Sequence, residues 1–157
     1  MSLQEIYQEV LLAHNEHPNN FFELPNASSK AHGHNPLCGD EISVFLELDG
    51  NTLKQISFTG QGCAICKSSA SLMTEYLKGK SADVAKKDAL AFIELLNDPE
   101  KTVPENLGEM EALLGVRKFP ARLKCATLAW HTFLKALDNS EDGNASSTSC
   151  ACHNCCC

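Results

Sequence analysis

Glu41-Ile42-Ser43-Val44-Phe45-Leu46-Glu47-Leu48 sets apolar side chains at 42, 44, 46 and 48. That period of two is the pattern of a strand buried on one face. Asp49-Gly50 follows, and glycine readily supplies the positive φ of a hairpin turn. Leu53 to Thr59 then returns with Ile56 and Phe58 on one face, so the stretch predicts an antiparallel hairpin. Cys38 and Asp40 lead into its first strand and Cys63 follows its second, which brings Cys38 towards Cys63. In extended chain, Cys38 and Asp40 point to the same face. Gly39 between them leaves room for a close approach. Cys125 offers a third thiol from near the start of the last predicted helix. Three thiols and a carboxylate arriving from three segments are a donor set that zinc takes.

The totals bound the problem. At 157 residues the chain is expected to be one domain with a tail, and 43% apolar residues suffice for a core. Thirteen basic residues against 20 acidic ones give a net charge of −7, and no Lys/Arg cluster occurs, which argues against a nucleic-acid partner. No run of 18 apolar residues appears, so no membrane span is expected. Met1-Ser2-Leu3-Gln4-Glu5 is not a basic-then-apolar leader. Nine cysteines without a leader point to metal or thiol chemistry in a reducing cytoplasm rather than to disulfides.

Around the hairpin the periodicity changes to helical. Ser2 and Glu5 form a capping box, and Leu3, Ile6, Val10 and Leu11 predict an amphipathic helix over 3–15, ended by His14 and His17 as solvated last-turn side chains. Residues 18–37 are rich in Asn, Pro, Ser and His and predict a mobile polar loop with room for one short strand near Phe21-Phe22. His32 and His34 lie near Cys38 in sequence, which admits a metal role. Gly60-Gln61-Gly62 reads as a tight turn out of the sheet. The helix over 64–78 follows, with Ile65, Ser69, Leu72 and Tyr76 on one stripe and Gly79 as its C-cap. A helix N-terminus favours an anion, thiolate included.

Ser81 caps the next helix, through Val84, Ala85, Leu90, Phe92, Ile93 and Leu96 to Asp98-Pro99. A linker over 100–105 leads to a short helix with Leu107, Met110, Leu113 and Leu114, closed by Gly115. Pro120 fits the first position of a last helix that buries Leu123, Ala126, Trp130, Phe133, Leu134 and Leu137. Cys125 lies near its start, with Arg122 one turn before it. The domain is expected over 1–137. Residues 138–157 predict a disordered tail whose last eight residues hold five cysteines, either as an unstructured thiol-rich end or as a soft-metal site.

These stretches together resemble the U-type iron–sulfur assembly family, the NifU/IscU N-terminal-like proteins. The residues are Asn35-Pro36-Leu37-Cys38-Gly39-Asp40, Gly60-Gln61-Gly62-Cys63-Ala64-Ile65, Ser68-Ser69-Ala70-Ser71-Leu72-Met73-Thr74-Glu75 and Val116-Arg117-Lys118-Phe119-Pro120-Ala121-Arg122-Leu123-Lys124-Cys125-Ala126-Thr127-Leu128. The likeness covers roughly 3–137. It implies an α+β fold, a small antiparallel sheet of two or three strands packed against about five helices. IscU-type scaffolds have His directly before the last cysteine. Lys124 stands there in this chain, and the stretch 100–118 is longer, as in the SufU branch.

Resemblance to that branch implies a Zn2+ ion held by Cys38, Asp40, Cys63 and Cys125. It also implies sulfur accepted as persulfide by Cys38 from a SufS-type cysteine desulfurase and passed to a downstream Fe–S assembly complex. Arg122 is a candidate for steadying the released thiolate or persulfide. One residue departs from the branch, Cys66 where serine is usual. It reads as a buried replacement for that serine, or else as a competing ligand in Cys63-Ala64-Ile65-Cys66 that would displace Asp40. The same residues would suit an Fe–S cluster, which makes a scaffold the alternative. A structural zinc module is a further one.

Overall fold

The structure, a computed structural model, describes residues 3–36 and 39–142. The predicted hairpin is present. Strand β2 (Asp40–Asp49) pairs antiparallel with β3 (Thr52–Gln61), and Asp49 opposite Thr52 closes the turn at Gly50, φ 65°. Ile42, Val44, Leu46, Ile56 and Phe58 are all buried, as their alternation requires. Asp40 has the same parity as Ile42 and Val44 and so faces inward with them. β3 runs two residues further than expected: Gly60 and Gln61 still pair, with Ile42 and Glu41. Gly60 adopts φ 144°, and a side chain there would strike the Glu41 carbonyl oxygen.

The stretch expected as a polar loop contains a third strand, β1 (Ser29–Asn35), antiparallel to β2. Its sequence hides it, because the face it turns inward is Ser29, Ala31, Gly33 and Asn35, which is small or polar. Tertiary contacts make the strand. A side chain at Gly33 would strike Thr132 of the last helix. Ser29 Oγ donates to the Ala136 carbonyl (2.6 Å), while Lys135 Nζ and Asn139 Nδ2 donate to the carbonyls of His32 and Lys30 (3.0 Å each). A helix thus satisfies the edge of the sheet that would otherwise be open. Near Phe21-Phe22 there is a single bridge, Phe21 to Phe58, and no strand.

Five helices flank the sheet among the described residues: α1 (Leu3–Glu16), α2 (Ala64–Leu77), α3 (Ala82–Asn97), a 3₁₀ helix (Gly108–Lys118) and α4 (Pro120–Asp142). This is the expected α+β architecture. α4 lies against β1 and β2 and also packs on α2 and α3. Ser81 caps α3, accepting the Val84 N–H at 3.2 Å. Two apolar residues assigned to the α3 stripe, Val84 and Leu90, are exposed. The helix expected to close at Gly115 is 3₁₀ and continues to Lys118. α4 extends to Asp142, so the boundary expected at 137/138 falls inside a helix. Ser2 of the capping box and residues 143–157 lie outside the described residues. No described helix is long and apolar enough to cross a membrane.

The serine-rich α2 is buried nearly all round, and each hydroxyl answers a different neighbour. Ser68 Oγ lies 2.6 Å from the carbonyls of Leu11 and Ala64. Ser69 Oγ donates to the Ala126 carbonyl (2.6 Å) and accepts from Trp130 Nε1 (2.9 Å). Ser71 Oγ accepts the Asn19 N–H (2.8 Å) and meets His14 Nδ1 at 2.7 Å. His14 is therefore not a solvated helix end. It is buried and pairs through Nε2 with Glu109 at 3.2 Å. Its position one turn after Val10 was the available signal, since it shares that residue's face of α1.

Candidate metal centre

Three elements end at one place. Asp40 opens β2 and is fully buried. Cys63 is the N-cap of α2, with extended backbone (φ −73°, ψ 169°), and is half-buried. Cys125 lies in the second turn of α4, behind Pro120, and is fully buried. A carboxylate oxygen of Asp40 and the sulfurs of Cys63 and Cys125 all lie within 4.8 Å of one another. No other group of three such ligand atoms is that close among the described residues.

Asp40 is held from two sides. Its Oδ1 accepts the Cys63 N–H at 3.0 Å, taking a donor that the start of α2 leaves unpaired. Gly62 makes room for this contact: a Cβ there would sit 2.6 Å from Oδ1. The other oxygen, Oδ2, is buried with no hydrogen-bond partner among the described residues. A buried polar atom left unpaired costs roughly 1–3 kcal/mol. A cation beside two thiols would satisfy it.

The donors fit zinc. Ligands of a tetrahedral site with sulfur at about 2.3 Å and oxygen at about 2.0–2.2 Å stand roughly 3.5–3.8 Å apart. The observed spread needs only a small contraction to reach that. Two sulfurs and one oxygen leave a fourth position to be filled.

Cys38 lies outside the described residues, and it precedes Asp40 by two in the chain. The backbone beside it is not the extended chain expected. Gly39 has φ 74° and its N–H bonds to the Asn35 carbonyl at 2.8 Å, so the chain turns between β1 and β2. The same-face argument for Cys38 and Asp40 therefore does not hold. Cys66 is fully buried and is not one of the three residues of that group. Arg122 stands exposed in the first turn of α4 and Lys124 is exposed beside Cys125.

Fold and site together define a small α+β domain that gathers cysteine and aspartate donors at one end of a three-stranded meander. The chain belongs to the NifU-like N-terminal domain family, whose model matches residues 6–126. It is 39% identical over 143 residues to the zinc-dependent sulfurtransferase SufU of Bacillus subtilis (strain 168), covering 91% of this chain and 97% of that one. It is 37% identical over 138 residues to the iron–sulfur cluster assembly scaffold protein IscU of Streptococcus pyogenes serotype M1, covering 88% and 86%. Among solved structures, a protein described as an iron–sulfur cluster assembly scaffold for the SUF system of Fervidobacterium islandicum AW-1 superposes with a TM-score of 0.73. Its identity is 29%, over 87% of this chain and 99% of that one.

Proposed function

We propose that this chain is a zinc-dependent sulfurtransferase of iron–sulfur cluster assembly. It takes persulfide sulfur from a SufS-type cysteine desulfurase in the cytoplasm and delivers it to a downstream assembly complex. Asp40, Cys63 and Cys125 hold the metal with Cys38 as fourth ligand, and Cys38 is the acceptor. The observation that supports this best is the buried Asp40 carboxylate, grouped with two thiols, with one oxygen on the Cys63 N–H and the other without a hydrogen-bond partner among the described residues.

Zinc, when bound, supplies a redox-inert positive charge that keeps its thiol ligands deprotonated. The chain does the rest. The Cys38 thiolate attacks the outer sulfur of the donor's persulfide. The donor's S–S bond breaks, its thiolate leaves, and a new S–S bond forms on Cys38 with no net oxidation. The half-buried Cys63 and the buried Cys125 stay behind as anchors. Arg122, exposed one turn before Cys125, is the cation we assign to steadying the persulfide.

The second reading is a scaffold for a labile Fe–S cluster on the same donors. Lys124, where scaffolds of the IscU type have histidine, and the segment 100–118 favour the sulfurtransferase. The test is incubation with a desulfurase and cysteine, followed by mass spectrometry of the peptides. The proposal expects one added sulfur on Cys38 and about one zinc per chain in the domain. Sulfur on another cysteine, or none with the desulfurase active, overturns it.

A further inference from the structure

The sheet has a second face, and it carries a different donor set. Outward from β1 and β2, in register, stand His32 opposite Ser43 and His34 opposite Glu41. Both histidines are exposed and Glu41 is half-exposed. His32 Nε2 lies 3.6 Å from Glu41 Oε1, and His32 Nδ1 lies 3.0 Å from Ser43 Oγ. His34 is the direct cross-strand neighbour of Glu41, close enough in such a pair for side chains to meet.

The tautomer of His32 that donates Nδ1–H to Ser43 leaves Nε2 as a lone pair facing the Glu41 carboxylate. Two acceptors that face each other are reconciled by a proton or by a cation between them. A ring that donates its other N–H to a fixed oxygen is also how a metal-ligating histidine is oriented. Two imidazoles and one carboxylate are a set that binds divalent first-row ions with positions left open. β1 is held in place for this by Lys135, which donates to the His32 carbonyl at 3.0 Å.

We infer that His32, His34 and Glu41 form a second, labile binding site for a divalent first-row transition ion, with Ser43 positioning His32. His34 closes on the ion by side-chain rotation. The site shares no ligand with the Asp40 centre. Asp40 points inward from β2 while Glu41, the next residue, points outward. The nitrogen and carboxylate donors select a harder ion than the thiols do, and exposure makes exchange fast.

The test uses the full chain, loaded with zinc and desalted so that the thiolate centre keeps its preferred ion. Cobalt(II) is then titrated while the ring signals of the six histidines are followed by NMR. Saturable paramagnetic broadening of His32 and His34 together, with His17 unaffected, is expected. Glu41→Gln should abolish it, and Ser43→Ala should weaken cobalt binding about tenfold or more. Three outcomes overturn the proposal: no broadening, equal broadening of His17, or binding that neither variant changes. In the last case a proton alone joins His32 to Glu41, or the two rings bind without them.

Discussion

Asp40 Oδ1 accepts the backbone N–H of Cys63 at 3.0 Å, so one donor of the candidate metal centre fixes the backbone of another. The bond joins the start of β2 to the start of α2 and makes the centre part of the fold. Asp40→Asn and Asp40→Ala should therefore separate two roles. Asn keeps an oxygen for the Cys63 N–H and loses the charge. Its metal-free stability should stay within about 1 kcal/mol of the parent, with metal affinity much reduced. Ala loses the cap as well and should cost a further ~1–2 kcal/mol in urea unfolding of the metal-free form.

Metal removal should weaken the whole domain, because the centre ties β2, α2 and α4 together. A strong chelator is expected to lower unfolding free energy by several kcal/mol, about the scale on which bound metal adds to folding. Thermal melting alongside metal analysis checks this. An unchanged melt in protein shown to be metal-free would refute the coupling.

Cys66→Ser should leave zinc stoichiometry unchanged. Cys66 is buried and outside the group formed by Asp40, Cys63 and Cys125. Putting a more polar hydroxyl in place of this buried thiol is expected to cost roughly 1–3 kcal/mol. Zinc content and urea midpoint, measured on one preparation, report both effects.

Ser69 joins α2 to α4 by donating to Ala126 and accepting from Trp130. Ser69→Ala strands the Trp130 N–H in the core, at a cost of about 1–3 kcal/mol in equilibrium unfolding. Tryptophan fluorescence offers a direct probe, since Trp130 is the one tryptophan in the chain.

His131 on α4 titrates below the ordinary histidine value because burial disfavours its charged form. The unfolded chain then takes up this proton first as pH falls. The contribution is complete above the unfolded pKa and is lost as pH drops from there through the folded value. His131→Gln should flatten the fall in stability below about pH 6.5. Parallel urea titrations across that window measure the change in slope.

What the sequence determined by itself was local and periodic. Alternation through Ile42, Val44 and Leu46 specified the central hairpin, because one buried face must recur every second residue. Ser81 and Pro120 marked helix starts through the hydrogen-bonding and dihedral needs of a first turn. The order of cysteines and aspartate showed which chemistry to look for. Tertiary structure alone decided the rest. β1 exists because α4 meets Gly33 and satisfies its edge carbonyls, neither of which leaves a hydrophobic pattern. His14 is buried because Ser71 and Glu109 wait for it on other elements. The turn at Gly39 and the meeting of Asp40 with Cys63 and Cys125 depend on strand pairing and helix packing between distant segments. Such contacts are set by the shape of the whole, which no short window of residues contains.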